Sequence, residues 1–247
     1  MAAQVAKKQK GAGTVVLAPP GDIPVSGSAA PGKVVLVYWP IRGLAQAARY
    51  ALEYCGEDWE DVQIDPGTPG TDDYKGHWMV VKPTIGVPFV NLPYLLDGEV
   101  EISQSAAILR HIGRKHGLLG TDPATCAKVD QVIDQCADFD GPMTRMCYGN
   151  YAGRDEWAET KMAPGLQAFE QFLGSNDYIA GPTITVADFK LFEEVAKCEI
   201  IVPGCLDSLP GLAAYMARMR SLEPLAGYLS SDRFIERPLN NPHAQFK

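Results

Sequence analysis

The chain has 247 residues, of which 46% are hydrophobic and 21% are charged, and its formal net charge is −8 at pH 7. This length allows one large domain or two small ones. The negative charge disfavours binding to nucleic acid or to an anionic membrane surface by bulk electrostatics. No apolar run approaches the roughly 20 residues of a membrane-spanning helix. We therefore expect a globular protein with neither a nucleic acid nor a membrane as partner.

Six cysteines are scattered along the chain, at Cys55, Cys126, Cys136, Cys147, Cys198 and Cys205. None forms a Cys-x-x-Cys pair, and none lies at metal-ligand spacing from the four histidines. The pattern predicts buried free thiols in a reducing compartment, with neither a disulfide framework nor a metal site.

Residues 1–32 differ from the rest, since they are rich in Gly, Ala, Pro and Ser and contain no aromatic residue. Lys7, Lys8 and Lys10 are basic, and Asp22 is the only acid. This composition predicts a disordered extension. Acid-poor segments also direct import into organelles, although this one lacks arginine. We expect a cytoplasmic protein, with organelle import through residues 1–32 as the alternative.

Residues 33–118 have the pattern of a small α/β domain. Val34 to Tyr38 is a continuous apolar run, typical of a strand buried on both faces. From Leu44 to Cys55 apolar residues recur at spacings of three and four, which predicts a helix ended by Gly56. Trp59 to Ile64 alternates between apolar and polar residues, as a second strand does.

The second part of this domain begins with a loop over residues 65–76. Short strands are predicted at 88–90 and 94–96, on either side of Leu92-Pro93, and another at 100–102 after the Asp97-Gly98 turn. Ser103-Gln104-Ser105 can then open a helix that ends near Gly117. The predicted order is βαβ, loop, ββα.

Residues 121–240 are predicted to be all-helical. An amphipathic helix from Val129 to Phe139 should be broken or kinked by Gly141-Pro142. A second helix carries Leu166 to Leu173, and Thr185-Val186-Ala187-Asp188 is a capping-box-like start for a third. Residues 210–222 suggest a fourth.

Several motifs now match one family in a shared order. They are Val37-Tyr38-Trp39-Pro40-Ile41-Arg42-Gly43-Leu44-Ala45, Phe89 to Leu95, Ile102 to Leu109, Arg114-Lys115-His116, Cys147-Tyr148, Phe172-Leu173-Gly174, Cys205-Leu206-Asp207, Arg233-Phe234 and Arg237-Pro238. Together they resemble a mu-class glutathione transferase from about Val34 to Arg237. The resemblance implies a thioredoxin-like N-terminal domain, an all-α C-terminal domain and a homodimer.

The resemblance also implies a catalytic role for Tyr38, whose hydroxyl would stabilise the thiolate of reduced glutathione, the co-substrate. No permanently bound cofactor and no metal are implied. The residues alone favour a half-buried aromatic at a strand end whose hydroxyl binds water, and the catalytic role comes from the resemblance.

The rest of the glutathione site follows from the same resemblance. The implied residues are Tyr38, Trp39, Leu44, Lys75, Trp78, Lys82, Asn91, Leu92, Pro93, Gln104 and Ser105, with Asp138 contributed by the partner subunit. A cis bond at Leu92-Pro93 would expose the Leu92 backbone to the cysteinyl part of the ligand. The helix start at Gln104 and Ser105 would bind the γ-glutamyl carboxylate, although a serine there could merely cap the helix. Proline at 93 could also be an ordinary turn residue, Asp138 could be a solvated acid on a helix, and the lysines could be solvated.

Two further residues are assigned by the resemblance. Tyr148 would donate to the electrophile, and Phe89 would insert into the partner subunit as an interface anchor. Each could instead be a core residue. Asp140, Gly141 and Pro142, Pro40, and the tail from Asn240 to Lys247 depart from the mu-class pattern. These departures bear on the electrophile pocket more than on the glutathione site.

The predicted function is conjugation of reduced glutathione to small hydrophobic electrophiles. The alternative is a non-catalytic or weakly catalytic protein of the same fold that binds hydrophobic ligands or has a structural role. Glutathione-dependent isomerisation uses the same thiolate and stays open. A thiol-disulfide oxidoreductase is disfavoured, because no cysteine lies at the start of the first helix.

Overall fold

The computed structural model describes residues 13–68, 70–71 and 74–247. Residues 1–12 of the predicted extension, and positions 69, 72 and 73 of the predicted loop, lie outside the described residues. Within the described ranges, no helix combines the length and the apolar character needed to cross a membrane.

In the described part of the chain, five strands form one mixed sheet in the spatial order β1-β3-β2-β4-β5. Their bounds are Thr14–Ala18 (β1), Val34–Tyr38 (β2), Trp59–Ile64 (β3), Tyr94–Asp97 (β4) and Val100–Ser103 (β5). β3 pairs in parallel with β1 and β2, and β4 pairs antiparallel with β2 and β5. All five residues of β2 are buried, which confirms the strand predicted from the continuous apolar run.

Three helices belong to the same domain, namely Gln46–Cys55 (α1), Gly76–Val81 (α2) and Ser105–His116 (α3). Gly56 ends α1 and Gly117 ends α3, each in the left-handed conformation, so both predicted helix ends are confirmed. Helix α2 was not predicted, because Gly76 was assigned to the preceding loop and the six residues of α2 are too few to show a period.

The strand predicted at residues 88–90 is wrong. Phe89 has a φ of 51°, which lies outside the β region of backbone conformation. The carbonyls of Pro88 and Phe89 accept hydrogen bonds from the Ser103 hydroxyl at 3.0 and 3.1 Å instead of from a strand neighbour. This segment is therefore a turn held by one side chain, and Phe89 points outward, 90% exposed.

The predicted disordered extension is also corrected over its described part. Residues 14–18 form β1 and pair with β3 in register from Thr14–Glu60 to Ala18–Ile64. Ala18 and Ile23 are buried in the core. The Gly, Ala, Pro and Ser content of residues 1–32 concealed a short apolar run, Thr14 to Ala18, that can pair with the edge of β3.

The second half of the chain is all-helical. Its helices are Pro123–Gly149 (α4), Arg154–Trp157 (α5), Ala163–Leu173 (α6), Val186–Ile201 (α7), Pro210–Ser221 (α8) and Glu223–Leu229 (α9), with a π-helical turn at Ala158–Met162. The predicted capping box of α7 is confirmed, since Thr185 and Asp188 bond each other's backbone N–H groups. Of the predicted break or kink at Gly141-Pro142, the break is wrong, because α4 continues through Pro142. Tertiary packing of a long helix here outweighs the hydrogen bond that proline cannot donate.

A buried ion pair joins the two halves. The guanidinium of Arg42, before α1, lies 2.6 Å from the Glu193 carboxylate on α7, with both side chains no more than 3% exposed. Burial alone would lower the pKa of Arg42, but Glu193 and neighbouring tyrosines raise it overall. Tyr50 also donates to Glu193 at 3.2 Å. The ion pair fixes the orientation of α1 against α7.

All six cysteines are free thiols. Burial raises the pKa of Cys55 to about 12 and that of Cys147 and Cys205 to about 11. Cys136 and Cys198 are buried, and burial raises their pKa further still.

The turn between β2 and α1 requires a glycine at position 43. Gly43 has a φ of 43°, and a Cβ there would lie 2.5 Å from the Tyr38 hydroxyl oxygen. The N–H groups of Arg42 and Gly43 donate to the carbonyls of Pro238 and Leu239, both at 3.0 Å. The Tyr38 ring and the C-terminal segment therefore meet at this turn.

We expect Gly43→Ala to lower the free energy of unfolding by about 2–4 kcal/mol, because the new Cβ must displace a buried ring as well as adopt a strained φ. Gly56→Ala is the matched control, with a φ of 64° and no atom within 4 Å of the added Cβ. It should cost about 1 kcal/mol. Urea denaturation of both variants measures the difference, and equal losses would contradict this account.

Candidate functional site

The end of β2, the start of β4 and the end of β5 lie side by side at one end of the sheet, which is called the sheet edge below. Tyr38 ends β2, and the residue before it, Val37, pairs with Tyr94 at the start of β4. Tyr94 in turn pairs with Ser103 at the end of β5. Antiparallel pairing thus brings Tyr38, Leu92-Pro93 and Gln104-Ser105 to the same edge, although 67 residues separate the first from the last in sequence.

The Tyr38 side chain is buried, with 6% of the residue exposed. Its hydroxyl oxygen accepts a hydrogen bond from the Leu44 N–H at 3.1 Å. Burial raises the pKa of Tyr38, although the Leu44 N–H and the Arg49 guanidinium act in the opposite direction. The phenol therefore keeps its proton at neutral pH, and because Leu44 donates to the oxygen, the hydroxyl hydrogen can donate to a ligand.

Arg49, which sequence reasoning missed, fixes the turn after Tyr38. Its guanidinium donates to the carbonyls of Ile41 and Trp39 at 2.8 and 3.3 Å, and pairs with Asp61 of β3 at 3.0 Å. It also lies 5.9 Å from the centre of the Tyr38 ring. The available signal was an arginine on the apolar face of a predicted helix, with an acid inside an adjacent strand.

The Leu92-Pro93 peptide bond is cis, which confirms the geometry that the resemblance implied. Leu92 is 8% exposed, and Asn91 beside it is exposed. The segment lies at the same sheet edge as Tyr38.

Helix α3 begins without a side-chain cap. Its N-cap residue, Gln104, has a φ of 74° and ψ of 112°, and no side chain of the described chain caps this helix. The Ser103 hydroxyl bonds the carbonyls of Pro88 and Phe89 instead. The first N–H groups of a 12-residue helix therefore stay available beside Gln104 and Ser105, an arrangement that favours a carboxylate.

Aromatic and cationic side chains gather around Trp39, the residue that follows Tyr38. The rings of Trp39 and Trp78 meet edge to face at 6.4 Å, and the Lys82 ammonium lies 5.9 Å from the centre of the Trp78 ring. Lys75 instead lies 5.2 Å over the ring of Tyr74. The structure thus groups Lys82 with the two tryptophans and places Lys75 against a different ring.

Tyr148, on α4, is covered by the C-terminal tail. Its hydroxyl oxygen accepts a hydrogen bond from the Asn241 N–H at 3.1 Å, and burial raises its pKa. The Gln245 N–H donates to the Cys147 carbonyl at 2.8 Å. His243 contacts Tyr74 with ring centres 4.4 Å apart. The tail therefore spans from α4 to the loop at residue 74, and composition gave no signal for these contacts.

A cavity of about 210 Å³ lies between α1, α3, α4 and α7, with Leu44, Ser105, Asp140 and Lys190 among its lining residues. The Asp140 carboxylate pairs with Lys197 at 3.0 Å. Burial opposes ionisation of Asp140, but Lys197 and Lys190 hold its pKa well below its usual range. One wall of this cavity is therefore charged.

The charged wall continues along α7. Glu194 lies 2.5 Å from Lys190 and 3.1 Å from Lys197. Burial raises the pKa of the Glu194 carboxyl to about 7. Of the remaining predicted residues, Asp138 lies exposed on α4.

Two family models match successive parts of the chain. They are "Glutathione S-transferase, N-terminal domain" over residues 34–114 and "Glutathione S-transferase, C-terminal domain" over residues 137–232. These matches confirm the predicted fold class, a thioredoxin-like domain followed by an all-α domain.

Relatives and solved structures agree with these matches. The chain is 39% identical to Glutathione S-transferase Mu 3 of Homo sapiens over 214 residues, which cover 86% of this chain and 95% of that protein. It is 38% identical to Glutathione S-transferase Mu 1 of Oryctolagus cuniculus over 83% of this chain and 94% of that one. The solved Pi-class glutathione S-transferase of Onchocerca volvulus superposes with a TM-score of 0.76 at 31% identity, covering 86% of this chain and 99% of that one. The chain therefore belongs to the glutathione S-transferase family, with mu-class relatives.

Proposed function

We propose that this protein conjugates reduced glutathione to electrophiles and that Tyr38 stabilises the glutathione thiolate. The observation that carries the proposal is the hydrogen bond from the Leu44 N–H to the Tyr38 hydroxyl oxygen, 3.1 Å long. It orients a neutral phenol so that its hydrogen is free to donate to the sulfur at the sheet edge.

The chemistry requires such a donor. A glutathione thiol has a pKa of about 9, so only about one per cent is thiolate at pH 7, and the thiolate is the nucleophile. A hydrogen bond to the charged sulfur favours ionisation. A shift of one to two pKa units would raise the thiolate fraction roughly ten- to fiftyfold.

The remaining anchors fit the three parts of glutathione. In this proposal the Leu92 backbone and Asn91 bind the cysteinyl part, and the start of α3 at Gln104 and Ser105 binds the γ-glutamyl carboxylate. The exposed Asp138 would meet the γ-glutamyl amine of the glutathione bound to the other subunit. The glycyl carboxylate lies near Trp39, Trp78 and Lys82, with Lys75 further out and Leu44 beside the sulfur.

The electrophile would bind between Tyr38 and Tyr148. One observation favours the alternative of a weakly catalytic ligand-binding protein. The adjoining cavity measures only about 210 Å³ and has a charged wall, and the tail already covers Tyr148. Turnover with several electrophiles distinguishes the two functions, since the alternative predicts glutathione affinity without conjugation.

We also propose a homodimer anchored by Phe89. Phe89 is 90% exposed, far more than other aromatic residues in the described chain. A cavity of about 130 Å³ lies between α4 and α6, lined by Val132, Ala168, Phe169 and Phe172. A two-fold axis would bring each ring to the cavity of the other subunit.

Replacing Tyr38 by Phe should raise the pKa of bound glutathione towards its free value and lower the rate of conjugation to a chloronitroarene at pH 7 roughly ten- to fiftyfold. Thiolate absorbance as a function of pH measures the first quantity, and steady-state kinetics measures the second.

Tyr54→Phe is the matched control, because Tyr54 lies on α1 and packs against Phe189, away from the sheet edge. It should change neither quantity. An unchanged thiol pKa in Tyr38→Phe would remove Tyr38 from its proposed role.

Replacing Phe89 by Asn should weaken dimerisation at least about a hundredfold, because two symmetry-related aromatic contacts are lost together. Asparagine tolerates the positive φ at this position, so the backbone cost is small. Sedimentation equilibrium measures the dissociation constant. Leu17→Asn, which removes a 62% exposed side chain from β1, is the control and should leave it unchanged. A stable Phe89→Asn dimer would contradict the proposal.

A further inference from the structure

Residues 19–33, the N-terminal strap, cross the sheet from one edge to the other. The strap begins after β1, the outermost strand on one side of the sheet, and contacts Glu101 of β5, the outermost strand on the other side. It then returns to β2, the central strand. The N-terminal family model begins at residue 34. The strap therefore lies outside the part of the chain that this model matches.

The far end of the strap is held by one carboxylate. Glu101 accepts from the Ser26 hydroxyl with one oxygen and from the Gly27 N–H with the other, each at 2.5 Å. Hydrogen bonds to an ionised carboxylate are stronger than neutral ones. Ile23, buried in the core, holds the middle of the strap. The strap is thus a fixed element of the domain.

A first contact connects the strap to the two tryptophans. The Pro24 carbonyl accepts a hydrogen bond from the Tyr94 hydroxyl at 2.5 Å. The fully buried Tyr94 ring stacks on Trp78, with centres 6.3 Å apart, and Trp78 contacts Trp39. Any displacement of the strap must leave the Tyr94 hydroxyl unpaired or move this ring stack.

A second contact connects the strap to the segment before Leu92. The Ser26 N–H donates to the Ile85 carbonyl at 2.7 Å. Gly86, with a φ of 82°, allows this approach, since a Cβ there would lie 3.0 Å from the Ser26 Cβ. The strap therefore holds the backbone at Ile85 and Gly86, in the segment that leads to Asn91 and Leu92.

We propose that the N-terminal strap positions the glycyl and cysteinyl subsites for glutathione, through the Trp39–Trp78 pair and the backbone at Asn91 and Leu92. The inference rests on the glutathione binding proposed above. None of the strap's hydrogen bonds among the described residues reaches Tyr38 or Ser105. The strap thus acts on the affinity for glutathione and leaves thiol ionisation to Tyr38.

The test uses the full chain with Glu101→Ala, which removes the anchor of the strap at a distance from the ligand. Glu170→Ala is the matched control, because the Glu170 carboxylate likewise accepts two backbone N–H groups, those of Gly211 and Leu212, at 2.9 and 2.6 Å. Isothermal titration with reduced glutathione should give a dissociation constant about three- to tenfold higher in Glu101→Ala, as expected for losing part of one charge-assisted bond. The constant should be unchanged in Glu170→Ala, whatever the loss of stability in each.

Tyr94→Phe is the second variant, and it tests the role of the strap in glutathione binding if Glu101→Ala does not fold. It should weaken glutathione binding about threefold, since it removes one neutral hydrogen bond. In both variants kcat at saturating glutathione and the pKa of the bound thiol should stay at wild-type values. Wild-type glutathione affinity in both, or a raised thiol pKa in either, would overturn the role of the strap. Absence of glutathione binding by the wild-type protein would instead overturn the proposed function.

Discussion

The guanidinium of Arg49 is the interaction on which the arrangement of the candidate site depends. It is buried in α1, pairs with Asp61 of β3 and donates to the backbone of the turn that follows Tyr38. One cation thereby ties a helix, a strand and the site turn together. A buried ion pair often adds little net stability, yet removing one partner costs about 3–5 kcal/mol, because the other charge stays buried. The contribution of Arg49 is therefore one of position: it fixes the backbone of the turn that follows Tyr38.

How far the sequence predicts the fold depends on whether a signal is local. The apolar run of β2, the helical spacing of α1 and the capping box of α7 are each contained in a few consecutive residues, and each prediction is confirmed. Three of the wrong predictions involve distant contacts. Residues 88–90 turn because Ser103 binds their carbonyls, β1 forms because β3 offers an edge, and α4 passes Pro142 because a long helix is packed on both sides of it. Local propensity was outweighed each time by tertiary structure.

The candidate site likewise contains residues that the sequence predicts and contacts that it does not. The order of motifs along the chain gave Tyr38, the Leu92-Pro93 bond and the start of α3, whose mutual placement follows from the pairing of β2, β4 and β5. The charged wall could not be predicted, because Asp140 and Lys197 are 57 residues apart and each is an ordinary surface type in isolation. The contact of Asn241 with Tyr148 spans 93 residues and uses a backbone N–H, which no side-chain pattern records. The contacts of residues 19–33 could not be predicted either, because they also join residues far apart in the sequence.

The raised pKa values of five cysteines bear on the proposed glutathione site. Thiol–disulfide exchange needs a thiolate, and a protein that binds glutathione is exposed to its oxidised form as well. Burial keeps Cys55, Cys147 and Cys205 protonated, with pKa values of about 11 to 12, and Cys136 and Cys198 are held more firmly still. In the proposed function the site would favour ionisation of the ligand's thiol, whereas burial suppresses ionisation of these five cysteines and so slows the formation of mixed disulfides with glutathione.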